Sequence, residues 1–134
     1  MFTPVTADDL AAIPLFAGLG RNNLDVIAHH TIKVLAREGI HLVRQGEPGF
    51  DFFIVLNGDA NVLVDGQVVA SLKTGDVFGE MALLGSHRRM ADVVATSQMT
   101  LATMMVWDFR RLTADYPQVA DRLMALVQTR QAED

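Results

Sequence analysis

Short apolar runs separated by turn residues fill the middle of this 134-residue chain, and they limit the folds that it can adopt. The runs cover residues 32–35, 40–43, 52–56, 61–64, 68–72, 91–95 and 101–106. Between two of them, Asp65-Gly66 is a strong signal for a two-residue β-hairpin turn. Many short strands at near-regular spacing are typical of a β-sandwich, barrel or jelly roll.

Helical signals lie on both sides of this β region. Thr6 and Asp9 are spaced as a capping box, and Pro14 ends the short helix that follows them. Further helices are expected over 21–30, over 108–114, and from Pro117 to about residue 131. One face of the last helix is apolar, through Val119, Leu123, Leu126 and Val127. We therefore predict a mainly β single domain over 1–134, in which N-terminal helices (1–30) and C-terminal helices (108–132) flank a jelly-roll-like antiparallel β-roll (31–107).

Composition and charge exclude several classes of function. The chain has 11 Lys and Arg against 16 Asp and Glu, a formal net charge of −5. Because nucleic-acid backbones bind to positive faces, and because no helix-turn-helix follows the last predicted helix, we expect no DNA binding by this chain. The absence of Cys excludes disulfides and cysteine-based metal sites. Neither a signal peptide nor an apolar stretch of roughly 20 residues is evident, so we expect a cytoplasmic protein without a membrane segment.

Residues 78–93 combine the groups that a sugar-phosphate ligand needs. Gly79 allows backbone N–H groups to approach an anion, Glu80 can accept a hydrogen bond from a ribose hydroxyl, and Arg89 can bind phosphate oxygens in pairs. A short helical turn is expected over 79–84, and its first N–H groups also favour an anion. Each residue alone has an ordinary explanation, as a turn glycine, a helix-capping carboxylate or a surface arginine. The functional interpretation depends on their combination.

The same stretch resembles the phosphate-binding cassette of the cyclic-nucleotide-binding domain family. The shared pattern is Phe-Gly-Glu-x-Ala-Leu at 78–83, followed by Arg-x-Ala-x-Val at 89–93. The resemblance also includes residues 13–19, 39–49, 52–58, 108–109 and 115–117, so it runs along nearly the full chain. It implies a β-roll that binds cAMP or cGMP without catalysis, needs no cofactor or metal, and relays binding through the last helix.

The resemblance also assigns roles to single residues. Glu80 would accept a hydrogen bond from the ribose 2′-hydroxyl, and Arg89 would pair with the cyclic phosphate. Backbone N–H groups of five residues would line the phosphate and ribose, namely Gly79, Met81, Ala82, Met90 and Ala91. The base would lie between apolar walls from Val62 and Leu72, under a cap from Leu126, Thr129 or Arg130 of the last helix.

Two departures from the common family pattern bear on the ligand contacts. His87-Arg88 stands where many members have small residues and proline, which leaves two adjacent arginines. The register of Ala91-Asp92-Val93 favours Arg89 as the phosphate ligand. Met90 stands where a hydroxyl contacts guanine in cGMP-preferring members. Because a thioether is a poor hydrogen-bonding group, we expect tighter binding of cAMP than of cGMP.

Three alternatives stay open. A cupin-like metal enzyme would use histidines, and the chain has His29, His30, His41 and His87. No His-x-His pair falls in a predicted strand, so we expect neither a metal site nor an enzyme. The chain could instead be a nucleotide-blind interaction module of the same fold. It could also be the regulatory part of a larger enzyme, transporter or channel, with an effector domain or a homodimer partner on the C-terminal helix.

Overall fold

The computed structural model of the protein describes residues 3–85 and 87–133, with the side chains of residues 83, 84 and 130–133 outside that description. Helices lie at both ends of the chain and strands lie between them. The α-helices are α1 (Ala7–Ala11), α2 (Arg21–His29), α3 (Val106–Asp115) and α4 (Pro117–Glu133), and the 3-10 helices are Pro14–Phe16 and Glu80–Leu84. The strands are β1 (Ile32–Ala36), β2 (His41–Val43), β3 (Asp51–Asn57), β4 (Ala60–Val64), β5 (Gln67–Leu72), β6 (Val77–Phe78), β7 (Asp92–Ala95) and β8 (Met99–Met105).

The described strands form two four-stranded antiparallel sheets. The first sheet has the order β1-β8-β3-β6, and the second has the order β2-β7-β4-β5. The first two strands therefore pair with the last two, as in a jelly roll. The Asp65-Gly66 turn joins β4 to β5 with φ angles of 51° and 81°, as a type I′ hairpin turn requires. The predicted antiparallel β-roll with flanking helices is confirmed.

Strand β3, in the middle of the first sheet, is buried on both faces. Phe52 and Ile54 of β3 lie in a cluster with the helices, which we call the helix-side core. Phe53 and Val55 point the opposite way, into a cluster shared by the two sheets, which we call the inter-sheet core. Because successive side chains of a strand alternate between faces, a strand that is covered on both faces becomes a continuous apolar run. This arrangement explains the run at 52–56.

The helices cover one face of the first sheet. In the predicted capping box, the N–H of Thr6 donates to Asp9 Oδ2 at 2.9 Å, and the N–H of Asp9 donates to Thr6 Oγ1 at 3.2 Å. The apolar face of α4 packs on the helix-side core through Val119, Leu123, Leu126 and Val127. Arg122 Nη1 donates to the carbonyl oxygens of Leu15 at 3.1 Å and Ala17 at 2.6 Å. The N-terminal region and α4 are thereby joined.

The helix α3 begins two residues before the predicted start at Asp108. The last ladder pair of β8 is Met105 with Asp51, the first residue of β3. The N–H of Val106 still donates to the carbonyl oxygen of Phe50 at 2.8 Å, but there is no further β3 residue to pair with, so the chain turns into α3 at once. No helix in the described part of the chain combines the length and the apolarity that a membrane span needs.

Candidate functional site

Gly79 joins β6 to the 3-10 helix Glu80–Leu84 through a left-handed turn. Its φ is 88°, a region that other residues rarely adopt. A Cβ at this position would also lie 2.6 Å from the carbonyl oxygen of Asp51. Conformation and contact both exclude a side chain, so glycine brings the start of the 3-10 helix directly against β3.

Glu80 is buried at the first position of this 3-10 helix, with 3% of its surface exposed. Among the described residues it is the single charged or polar residue in the buried class. A carboxylate is costly to bury unless hydrogen bonds and opposite charge compensate it. In the part of the chain that the structure describes, no buried side-chain nitrogen or oxygen lacks a hydrogen-bond partner. The buried carboxylate of Glu80 therefore has partners within the fold.

Arg89 is half-buried and lies beside this carboxylate. Its Nη1 donates to the carbonyl oxygen of Asp51 at 3.0 Å, and its Cζ lies 5.7 Å from the ring centroid of Phe53. Burial lowers the pKa of the Arg89 guanidinium, whereas the negative charges of Asp51 and Glu80 act to raise it. Because an arginine side chain keeps its proton in proteins, the group stays a cation at neutral pH. A fixed, partly desolvated cation beside a buried acceptor suits an anion that also carries a hydroxyl.

Main-chain hydrogen bonds decide which of the two adjacent arginines faces Glu80. The N–H of Arg89 donates to the carbonyl oxygen of Glu47 at 2.9 Å, and the N–H of Gly46 donates to the carbonyl oxygen of Arg89 at 2.8 Å. This extended pairing points neighbouring side chains in opposite directions. Arg88 is exposed, and its Nη1 donates to the carbonyl oxygen of Gly46 at 2.8 Å.

A cavity of about 290 Å³ opens beside Arg89. Its lining mixes apolar and charged residues from β2, the loop that follows it and the start of β3. Besides Arg89, the lining residues are Leu42, Val43, Arg44, Glu47, Pro48, Gly49, Phe50, Asp51 and Phe53. The volume is in the range of a small-molecule site.

Other residues of the predicted cassette differ in exposure. Ala82 is buried, Ala91 is half-buried, and Met81 packs against the helix-side core. Met90 is 59% exposed, and it is not among the residues that line the cavity beside Arg89.

The three predicted base contacts lie outside the lining of this cavity. Leu72 is buried in the inter-sheet core, and Val62 packs against that core. Leu126 packs against the helix-side core on the other face of the first sheet. Thr129 is exposed and donates to the carbonyl oxygen of Ala125 at 3.0 Å, and the side chain of Arg130 is outside the described residues.

The histidines are dispersed over the molecule. His29 lies on α2, with Nδ1 at 2.9 Å from the carbonyl oxygen of Asp25. The ring centroids of His87 and Phe50 are 5.1 Å apart. Over residues 3–85 and 87–133, the structure contains no group of three or more His, Cys, Asp or Glu side chains that could hold a metal ion.

Sequence reasoning missed two contributors to the Arg89 environment, Gly49 and the carbonyl oxygen of Asp51. Gly49 lies in a loop for which the sequence patterns predict no contact with Arg89. Asp51 contributes its main-chain carbonyl oxygen and also its negative charge, and no sequence pattern points to either contact. The resemblance to a family over 39–49 was the one pointer to this loop.

Comparisons with known proteins show which family the chain is similar to. The family model for the cyclic nucleotide-binding domain matches residues 33–116. A cAMP-dependent protein kinase regulatory subunit of Yarrowia lipolytica is 35% identical over 105 residues, which are 77% of this chain and 28% of that protein. A cyclic nucleotide-gated potassium channel of Rhizobium etli is 32% identical over 114 residues, 85% of this chain and 32% of that protein. The chain spans about a third or less of these relatives.

A similar solved structure is that of cAMP-bound PfPKA-R. It superposes on this chain with a TM-score of 0.86 and 25% sequence identity. The superposition covers 95% of this chain and 44% of the other. The whole described β-roll and its flanking helices therefore have a counterpart in that protein.

Proposed function

The chain belongs to the cyclic nucleotide-binding domain family, and from this premise we propose that it is a non-catalytic sensor of a cyclic nucleotide, with cAMP preferred to cGMP. One observation carries the proposal. A buried carboxylate, Glu80, and a half-buried guanidinium, Arg89, lie together at a left-handed glycine turn. A cyclic nucleotide presents an anionic phosphate and a ribose hydroxyl close together, which is the pattern that this pair would recognise.

The two side chains have separate tasks in this proposal. Arg89 donates to the exocyclic oxygens of the cyclic phosphate, because a guanidinium offers several donors in one plane. Glu80 accepts a hydrogen bond from the ribose 2′-hydroxyl. Since the hydrogen bond to Asp51 already fixes Arg89, little side-chain entropy is lost on binding.

Backbone and apolar contacts complete the proposed site. We propose that the N–H groups of Gly79, Met81, Ala82, Met90 and Ala91 line the phosphate and ribose, and that Val62 and Leu72 face the base. Leu126 packs on the helix-side core, so a cap on the base from this residue requires α4 to move.

The preference for cAMP rests on Met90. Its exposed thioether offers the guanine amino and carbonyl groups no strong partner. Adenine gains a flexible apolar surface from the same side chain.

The relay through α4 is supported by two contacts of that helix. It touches the 3-10 helix Glu80–Leu84, which carries the proposed ribose ligand, and Arg122 ties it to the N-terminal region. A ligand that shifts the 3-10 helix would therefore shift α4. We propose that an effector domain or a second copy of the chain reads this movement, and that the protein works in the cytoplasm.

The alternatives make different predictions for the same measurement. A nucleotide-blind interaction module would keep the fold and bind no cyclic nucleotide. A regulatory part of a larger enzyme, transporter or channel would bind it as proposed here. The matches to a kinase regulatory subunit and to a channel over about a third or less of their lengths favour the second of these contexts.

Calorimetry and thermal unfolding with cAMP, cGMP and adenosine test the proposal. At a cAMP concentration about 100 times its Kd, binding should stabilise the protein by about 2.7 kcal/mol, which raises Tm by roughly 8 °C in a domain of this size. cGMP should bind more weakly, and adenosine, which lacks the phosphate, should bind weakest. Absence of both heat and a Tm shift with cAMP would contradict the proposal and favour the nucleotide-blind module.

A further inference from the structure

We propose that Gly49 is a positioning residue for Arg89, because the missing side chain at 49 provides the space that the guanidinium occupies. The consequence for ligand affinity rests on the proposed function, in which Arg89 binds the phosphate. The geometric part concerns the free protein and can be tested without a nucleotide.

The three atoms nearest to a Cβ placed on Gly49 all belong to Arg89. A Cβ at residue 49 would lie 1.9 Å from Nε, 2.3 Å from Cζ and 2.6 Å from Nη2 of Arg89. Carbon and nitrogen atoms in van der Waals contact are roughly 3.5–4 Å apart. An alanine at 49 and the present position of the guanidinium therefore exclude each other.

Backbone conformation does not explain the glycine. Gly49 is absent from the described glycines with positive φ, whereas Gly46 in the same loop has a φ of 83°. An alanine at 49 would thus meet no strain in its own backbone. The requirement for glycine at this position comes from the arginine, which lies 40 positions later in the sequence.

The guanidinium is confined at its other end by Gly79. A Cβ at residue 79 would lie 3.0 Å from Nη1 of Arg89, the atom that donates to Asp51. The side chain is thus held between two glycine backbones, with the ring of Phe53 nearby. A new methyl group at 49 has to displace the guanidinium and break its hydrogen bond.

The loop that contains Gly49 cannot easily move aside. The N–H of Gly49 donates to the carbonyl oxygen of His87 at 2.8 Å, which adds to the two main-chain bonds between this loop and Arg89. Before the loop, the N–H of Gln45 donates to Asp92 Oδ1 at 2.7 Å, and its side chain exchanges two hydrogen bonds with Asp65. These contacts tie the loop to β7 and to the β4–β5 hairpin.

The experiment compares Gly49→Ala with Gly20→Ala as a matched control. Gly20 has an ordinary φ of −71°, and a Cβ there would meet nothing within 4 Å. In the free protein, the Nε–Hε resonance of Arg89, assigned by its loss in Arg89→Ala, should move toward the position of exposed arginines in Gly49→Ala and stay unchanged in Gly20→Ala. An unchanged resonance in Gly49→Ala would overturn the proposal, whether or not a nucleotide binds.

Calorimetry with cAMP then measures the functional consequence. Gly49→Ala should weaken binding about tenfold or more, the cost of losing a charge-assisted hydrogen bond. In the Arg89→Ala background, Gly49→Ala should cost nothing further. An equal loss in both backgrounds would overturn the positioning role, and absence of binding to the wild type would contradict the proposed function instead.

If Gly49→Ala fails to fold and the double variant folds, the conflict with Arg89 is confirmed. If neither folds, the loop requires glycine for itself and the proposal is wrong.

Discussion

Arg89 Nη1 donates to the carbonyl oxygen of Asp51 at 3.0 Å, a contact that joins the segment before β7 to the first residue of β3. The two residues are 38 positions apart in the sequence. The hydrogen bond directs a half-buried cation toward Glu80 and leaves other donors of the guanidinium for a ligand. The proposed phosphate site is therefore built on the β-roll, and its affinity should depend on this one side chain.

Arg89→Ala should weaken cAMP binding by about tenfold or more, because it removes a charge-assisted hydrogen bond worth about 1.5–3 kcal/mol. Arg88→Ala is the matched control, since Arg88 is exposed and donates to the carbonyl oxygen of Gly46. Calorimetry should detect a much smaller effect of this second change. Equal losses of affinity in the two variants would show that the assignment of the phosphate ligand is wrong.

Glu80→Gln should reduce the discrimination between cAMP and 2′-deoxy-cAMP. The wild type should bind the 2′-deoxy analogue about tenfold more weakly, since the analogue cannot donate to the carboxylate. With glutamine, a neutral and weaker acceptor, the two ligands should bind more alike.

Glu47→Gln serves as the control for Glu80→Gln, because Glu47 is an exposed glutamate that lines the cavity beside Arg89, whereas Glu80 is buried. It should keep the wild-type ratio of the two affinities. If Glu80→Gln leaves the ratio of the cAMP and 2′-deoxy-cAMP affinities unchanged, the proposed hydrogen bond between Glu80 and the ribose is wrong.

Met90→Thr should improve cGMP binding relative to cAMP, because a hydroxyl can bond to guanine where a thioether cannot. Parallel titrations of both nucleotides measure the ratio of their affinities. Met124→Thr is the control, since Met124 is also exposed but lies on α4. Tighter binding of cGMP than of cAMP by the wild type would refute the preference assigned to Met90.

The helix-side core makes a prediction for stability. Phe52 is fully buried and stacks on Phe109 with 4.3 Å between ring centroids. Phe52→Ala should lower the free energy of unfolding by about 3–5 kcal/mol, through lost burial and a new cavity. Phe50→Ala is the control, since Phe50 is 41% exposed, and it should cost much less in the same denaturant titration. Similar losses would contradict the packing described for β3.

Sequence patterns predicted the strand and the hairpin turn, because the conformation of these elements depends mainly on residues close together in the sequence. The continuous apolar run at 52–56 predicts a buried strand, and Asp65-Gly66 predicts a turn whose two positive φ angles few other pairs adopt. The early start of α3 was missed because it depends on where the partner strand β3 begins.

Sequence patterns do not predict which residues surround the side chain of Arg89. Gly49 and Arg89 are brought together by the antiparallel pairing of two distant segments. Nothing in a turn motif indicates which side chain will occupy the empty volume at a glycine. The position of Leu126 on the helix-side core likewise depends on the packing of α4, which a helical pattern does not specify.

Arg122→Ala should loosen α4 and show whether this helix reports ligand binding. The change removes two charge-assisted hydrogen bonds to the carbonyl oxygens of Leu15 and Ala17, so it should cost roughly 1–3 kcal/mol and speed amide hydrogen exchange over 117–133. Arg111→Ala, at an exposed position of α3, should leave that exchange unchanged.

Because α4 contacts the 3-10 helix Glu80–Leu84, cAMP should alter exchange in α4 of the wild type, and the size of this response should change in Arg122→Ala. If cAMP binds the wild type and exchange in α4 does not respond, α4 is a packing helix and the proposed relay is wrong.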